Sequence, residues 1–138
     1  MAVNQSVCGI KTGLFSTCKG APAGICQYCG RPFCQEHGIF LELGQEVCHR
    51  PNCVAKREDV ARHLVYKEAV IIRNEARHCG VEGCNHSVVG RCSRCEGYFC
   101  DGHVGPREDV IIENDVKIQR LATLCRHCFE RRPIWLRT

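Results

Sequence analysis

No apolar run in this 138-residue chain approaches the roughly 20 residues a membrane-spanning helix requires, so a bilayer-spanning helix is not expected. The opening stretch from Met1 to Gly13 contains Asn4, Gln5, Ser6 and Lys11, so no apolar secretory leader is legible there. A reducing cytoplasm, or a nucleus, is therefore the expected compartment. No glycine-rich phosphate loop and no nucleophile motif stands out, which leaves nucleotide chemistry and covalent catalysis without support. There is one tryptophan, Trp135, placed close to the chain end.

Cysteine is what the chain has in quantity. Its fourteen cysteines fall into one pattern twice. The first copy runs Cys8, Cys18, Cys26, Cys29, Cys34, His37, Cys48, Cys53, and the second Cys79, Cys84, Cys92, Cys95, Cys100, His103, Cys125, Cys128. The centre of each copy keeps one spacing: Cys, seven residues, C-x2-C, four residues, C-x2-H. An even count also suits disulfides. A histidine in the same slot of both copies does not, because histidine forms no disulfide. The C-x2-C pairs put two thiolates on one tight turn, within reach of one ion. Iron–sulfur chemistry fits the repeated histidine less well than zinc does. Eight soft ligands per copy make two tetrahedral sites, so the expectation is four structural Zn2+ ions per chain.

Each repeat is roughly 50 residues, a size at which hydrophobic burial alone is marginal. A structural zinc contributes about 10–16 kcal/mol in apparent terms and would supply the missing stability. Metal also changes the charge. The formal +4 counts cysteine as neutral, whereas fourteen thiolates contribute −14 and four zinc ions +8, which leaves about −2. That removes most of the compositional case for nucleic acid. Basic clusters at Lys56–Arg57 and at Arg126, Arg131, Arg132 and Arg137 then read as solvated faces.

The organisation expected is a first zinc module over 1–53, a helical linker over 54–77, a second module over 78–130 and a tail over 131–138. Between His37 and Cys48, Ile39, Leu41 and Leu43 alternate with Phe40 and Glu42, and Gly44-Gln45 can turn the chain, so a short hairpin should deliver Cys48. In module two, Glu113-Asn114-Asp115 is the expected turn between Val110–Ile112 and Val116–Ile118. In the linker Ala61, Leu64, Val65, Ala69, Ile72 and Ala76 recur at helical spacing, and Glu58–Arg62 is an i,i+4 pair. That stripe is expected to dock on one module; homodimerisation through it is the alternative. Pro133 should stop any short helix begun near Cys125, with Ile134, Trp135 and Leu136 folding back on the protein. The segment R-E-D-V occurs at Arg57–Val60 and again at Arg107–Val110, at different places relative to the ligands, and the sequence assigns it no role.

Each module offers four ligand pairs in order, and either successive or alternate pairs share a metal. The four-residue gap between pairs two and three favours alternation, because the chain then runs directly from one metal to the next. Alternation groups Cys8, Cys18, Cys34 and His37 apart from Cys26, Cys29, Cys48 and Cys53. In module two it groups Cys79, Cys84, Cys100 and His103 apart from Cys92, Cys95, Cys125 and Cys128. Cys8 is the least secure of these ligands, and His49 competes with Cys48.

The motif C-x2-C-G-x-x-F-C-x-x-H at Cys26–His37, with C-x2-C-x-x-x-F-C-x-x-H at Cys92–His103, resembles the core of the B-box and of the zinc finger of stress-associated proteins. The resemblance covers each module from its second cysteine to its histidine. It implies a small metal-stabilised α+β fold: two tandem cross-brace zinc modules of short hairpins and short helices, joined by a helix. Phe33 and Phe99 match the aromatic that precedes the third pair. The last pairs depart from those relatives, being C-x4-C at Cys48–Cys53 and C-x2-C at Cys125–Cys128.

Closed metal sites without a catalytic constellation point to a protein-interaction adaptor whose partner is another protein, and an enzyme is the less favoured class. One rival is a RING-like ubiquitin ligase, for which Val81 with Arg126 or Arg131 would be the recruiting residues. The other is a nucleic-acid-binding zinc protein. His49, His63, His78, His86 and His127 lie outside the ligand pattern.

Overall fold

A computed structural model describes residues 7–41 and 45–136 of the chain. The chain divides into two compact units, one reaching to Glu58 and the other covering Asp59–Leu136.

Two small antiparallel hairpins build the first unit. Strand β1 (Gly24–Ile25) pairs with β2 (Pro32–Phe33), and β3 (Gly38–Phe40) pairs with β4 (Glu46–Cys48). The second hairpin is the one anticipated before Cys48; Glu42 and Leu43 of its expected strand and Gly44 of its expected turn lie outside the described residues. Strands this short cannot enclose an ordinary core. The buried set is Ile10, Phe33 and Val47 with five cysteines. Gly38 sits against the Phe33 ring so closely that any Cβ there would collide with it.

In the second unit β5 (Gly90–Arg91) pairs with β6 (Tyr98–Phe99). Beside them runs a much longer ribbon. Strands β7 (Val104–Glu113) and β8 (Val116–Cys125) pair without interruption from Val104↔Cys125 to Glu113↔Val116. Asn114 (φ 49°) and Asp115 (φ 64°) make the two-residue turn. Asn and Asp tolerate the left-handed region, and such turns match the twist of paired strands. The turn falls where the sequence put it, while the strands reach back to the residue after His103 and forward to Cys125. The buried set here is Val70, Phe99, Val104 and Leu124 with six cysteines.

Helix α1 (Pro51–Glu75) begins three residues before the expected start of the linker helix. Proline is well suited to the first helical position, where its missing N–H has no intrahelical partner to lose. The early start carries Cys53 into the first turn. The apolar stripe of α1 does not dock as expected. Leu64 (62% exposed), Val65 (70%) and Ile72 (61%) face solvent, and Ala61, Ala69 and Ala76 are exposed as well. The inward face carries Asp59, His63, Tyr66 and Val70. Specific contacts set this rotation. Val70 joins the Phe99 core, Tyr66 reaches a cysteine, and Arg73 and Asn74 bond the carbonyls of Cys79, His78 and Tyr98. Periodicity identifies an apolar face but not which face its neighbours can satisfy.

The short helix begun near Cys125, α2 (Arg126–Glu130), ends before Pro133 as expected; a separate helix, α3 (Arg132–Leu136), then starts after Arg131 and carries Pro133 at its second position. In the first turn of a helix proline costs no hydrogen bond. Trp135 folds back: its indole Nε1 donates to Asp59 Oδ2 at 2.6 Å. No helix among the described residues is long and apolar enough to cross a membrane.

Candidate metal centres

Four clusters gather all sixteen cysteine and histidine positions of the repeat, and the ligand atoms within each lie within 4.8 Å of one another. Alternate pairs are brought together in both repeats. Cys8, Cys18, Cys34 and His37 form one cluster, with Cys26, Cys29, Cys48 and Cys53 the next. Cys79, Cys84, Cys100 and His103 form the third, and Cys92, Cys95, Cys125 and Cys128 the fourth. Cys48 takes the place for which His49 competed, and Cys8 is fully buried within its cluster.

The spacing within the clusters discriminates between chemistries. Sulfur–sulfur separations are 3.9 Å for Cys18–Cys34, 3.8 Å for Cys29–Cys48, 3.8 Å for Cys84–Cys100 and 3.9 Å for Cys95–Cys125. A tetrahedron with Zn–S bonds of about 2.3 Å has edges of about 3.8 Å, whereas a disulfide bond is about 2.05 Å. All fourteen cysteines are free thiols. Both histidines present Nδ1: His37 lies 3.5 Å from Cys8 Sγ and 3.2 Å from Cys34 Sγ, and His103 lies 3.4 Å from Cys79 Sγ and 3.2 Å from Cys100 Sγ. The donor set, its spacing and its burial fit a thiophilic divalent metal, so the four groups could hold zinc.

Local sequence explains the positions. In each C-x2-C turn the residue after the second cysteine adopts a left-handed conformation, Gly30 at φ 70° and Glu96 at φ 63°. Its N–H bonds the carbonyl of the first cysteine at 2.8 Å in module one and 2.9 Å in module two. The C-x2-H turns match too, with His37 N–H bonding Cys34 O and His103 N–H bonding Cys100 O, each at 3.1 Å. Burial opposes ionisation of Cys8, but N–H groups of Ile10 and Cys34, then His37, outweigh it and lower the thiol to about 7. Cys79 repeats this: burial opposes, N–H groups of Cys100 and Val81 and then His103 prevail, and the thiol falls to about 7. Thiols held this way are readily deprotonated for a metal.

A second layer of residues surrounds the clusters, and ligand spacing alone did not reveal it. Arg50 Nη1 approaches Cys29 Sγ at 3.8 Å, and its Nη2 donates to Cys8 O at 2.7 Å and Pro32 O at 3.2 Å. One guanidinium thus ties both clusters of the first module together. In the second module Tyr66 Oη donates to Cys125 Sγ at 3.3 Å. The Tyr66 ring stacks on His127 at 3.7 Å, and His127 Nε2 lies 3.0 Å from His63 Nδ1. Among the other spare histidines, His86 Nδ1 stands 3.5 Å from Cys84 Sγ. Arg126 bonds Glu130 on the surface, whereas Arg131 is held against Asp59.

The repeated R-E-D-V segment marks the two buried acids among the described residues, Asp59 and Asp109. Asp59 receives Arg131 through Nε at 3.0 Å and Nη2 at 2.6 Å. Asp109 receives Arg94 through Nε at 3.0 Å and Nη2 at 2.9 Å. The repeat was visible in the sequence; its meaning needed the arginine partners, which lie outside it.

No known protein family matches the chain, and neither the curated proteins nor the solved structures include a match.

Proposed function

We propose that this chain is a non-catalytic zinc-binding adaptor, two tandem cross-brace modules of B-box-like type that present surfaces to another protein. The observation that carries the reading is closure of the clusters. Each brings four protein ligand atoms together, whereas a catalytic zinc keeps three and leaves a position for water or substrate. Zinc held by these residues supplies folding free energy that cores made largely of cysteine would otherwise lack. The exposed apolar side chains Leu64, Val65 and Ile72 on α1 support an interaction role, since a partner could cover them. A second copy of the chain is one candidate for that partner.

The test compares the zinc-loaded chain with a Leu64→Glu, Ile72→Glu variant of equal zinc content. Cross-linking in host cells, with light scattering in parallel, should show the variant losing a protein partner or a self-association that the parent has. A monomeric parent with no specific cross-links, or a parent and variant that behave alike, would contradict this use of the helix. Submicromolar binding to a defined nucleic acid near physiological salt would overturn the adaptor reading itself.

A further inference from the structure

The ribbon of β7 and β8 is longer than delivery of a ligand requires. Three residue pairs lead to Cys48 in the first repeat, whereas ten lead to Cys125 in the second. Toward its turn, Ile112, Val116, Ile118 and Leu121 are all exposed. A two-stranded hairpin is marginal in water by itself, and further strands stabilise it.

The two edges of the ribbon differ. Residues directly opposite in an antiparallel pair point their N–H and C=O groups at each other or away from the pair, in alternation. Thr123 points away, since its carbonyl accepts the N–H of Ser93 at 2.8 Å and the hydroxyl at 3.1 Å. Glu108 and Val110 point away as well, since their carbonyls accept Arg132 and Arg94. The outward sets are therefore Pro106, Glu108, Val110 and Ile112 on β7, and Lys117, Gln119, Leu121 and Thr123 on β8. The β7 edge is largely closed. Pro106 has no N–H, the two arginines hold the carbonyls of Glu108 and Val110, and Asp109 Oδ1 accepts the Val110 N–H at 2.9 Å. On β8, among the described residues, nothing bonds the outward backbone groups of Lys117, Gln119 and Leu121. Unpaired groups in such a row are a template for another strand.

A strand-adding peptide gains its specificity from side-chain pockets beside the edge. Neither cavity beside α1 in the second unit is lined by a residue of β8. A second β8 needs no pocket. Antiparallel pairing about a two-fold axis through Gln119 engages all three open residues. Lys117 then lies opposite Leu121 of the second copy, Gln119 opposite Gln119, and Ile118 opposite Arg120. No like charges are directly opposed, the lysine stem covers Leu121, and the two amides offer each other a donor and an acceptor. Other registers fit worse. An axis through Lys117 or Arg120 opposes like charges, which destabilises a pair. An axis through Leu121 needs Thr123, which Ser93 occupies. An axis through Ile118 brings Leu121 against the turn residue Asp115.

We propose that the chain dimerises through the free edge of β8, joining two ribbons into a four-stranded antiparallel sheet in the order β7–β8–β8–β7, in register about Gln119. The proposal goes beyond the adaptor reading and does not depend on it.

Analytical ultracentrifugation of the zinc-loaded full chain should show a concentration-dependent dimer. Amide hydrogens of Lys117, Gln119 and Leu121 should exchange more slowly as the dimer forms, a signature that association through α1 would not give. Gln119→Pro removes an outward N–H that the ribbon itself does not use, and should leave a monomer of unchanged zinc content. Leu121→Lys keeps every backbone group and sets like charges opposite Lys117 at both ends of the pairing. It should weaken the dimer about tenfold or more. A parent that stays monomeric up to about 1 mM would overturn the proposal. So would a dimer in which the three amides exchange as fast as in the monomer, or one lost with Leu64→Glu, Ile72→Glu and untouched by both β8 variants. A monomeric parent whose β8 edge cross-links to a different protein would also overturn it.

Discussion

The two copies of the cysteine repeat share their ligand-bearing turns and differ in what stands behind them. Phe33 and Phe99 are both fully buried, both C-x2-C turns end in a left-handed residue, and both histidines offer Nδ1. Two residues after the seventh ligand the copies diverge. Module one carries Arg50 there, a cation touching Cys29 and bridging to Cys8 and Pro32. Module two carries His127, stacked under Tyr66, whose neutral hydroxyl bonds Cys125. The delivering hairpins differ as well, three residues per strand in one and ten in the other. The turns that carry the cysteines are alike in the two copies, while the residues packed behind them differ in charge and in the cysteine they touch.

The largest test of that comparison is Cys95→Ser. It removes one ligand from the fully buried cluster and should cost module two most of its metal stabilisation, a large share of about 10–16 kcal/mol. Amide dispersion of residues 79–130 should collapse, while residues 7–41 and 45–53 keep theirs. Equal loss in both halves would show that the modules depend on each other.

Replacing the backing residues sharpens the contrast. Arg50→Met removes three bonds and one positive charge and should cost about 2–3 kcal/mol, felt in both clusters of module one. Tyr66→Phe removes a single bond to a thiolate and should cost about 1 kcal/mol. Its clearer signature is kinetic: Cys125 loses a donor, so an alkylating agent should release zinc from module two faster and leave module one unchanged. Unchanged release would mean that the Tyr66 bond does not moderate the thiolate.

A contribution confined to acid comes from the pH response of His63. Burial and then Arg131 hold it down to about 4, against an unfolded value of about 6.5. The folded state keeps His63 neutral while the unfolded chain takes up the proton first. Its contribution is therefore complete above about 6.5 and is lost as pH falls toward about 4. His63→Phe should give a shallower fall in melting temperature across that window than the parent. Parallel curves would show that His63 does not contribute to the acid response.

Much of the site was legible because thiolate pairs on tight turns leave few geometries. The short gap between Cys29 and Cys34, repeated at Cys95 and Cys100, favoured alternation, and alternate pairs are the ones brought together. The rotation of α1 was not legible. Its six apolar positions formed a clear stripe, but Tyr66 and Val70 had partners that exist only in the folded arrangement, Cys125 and the Phe99 core. The second short helix, α3, was not legible, because proline reads as a stop although in a first turn it costs no hydrogen bond. The repeated tetrapeptide contains Asp59 and Asp109, but their role depends on Arg131 and Arg94, which are distant in sequence.

The most direct measurement is metal and thiol counting on protein purified without added metal. Native mass spectrometry should give four zinc ions per chain with all fourteen cysteines reduced, and denaturation in chelator should release both the zinc and the thiols. Two zinc ions or fewer, with cysteines paired as disulfides, would contradict the account.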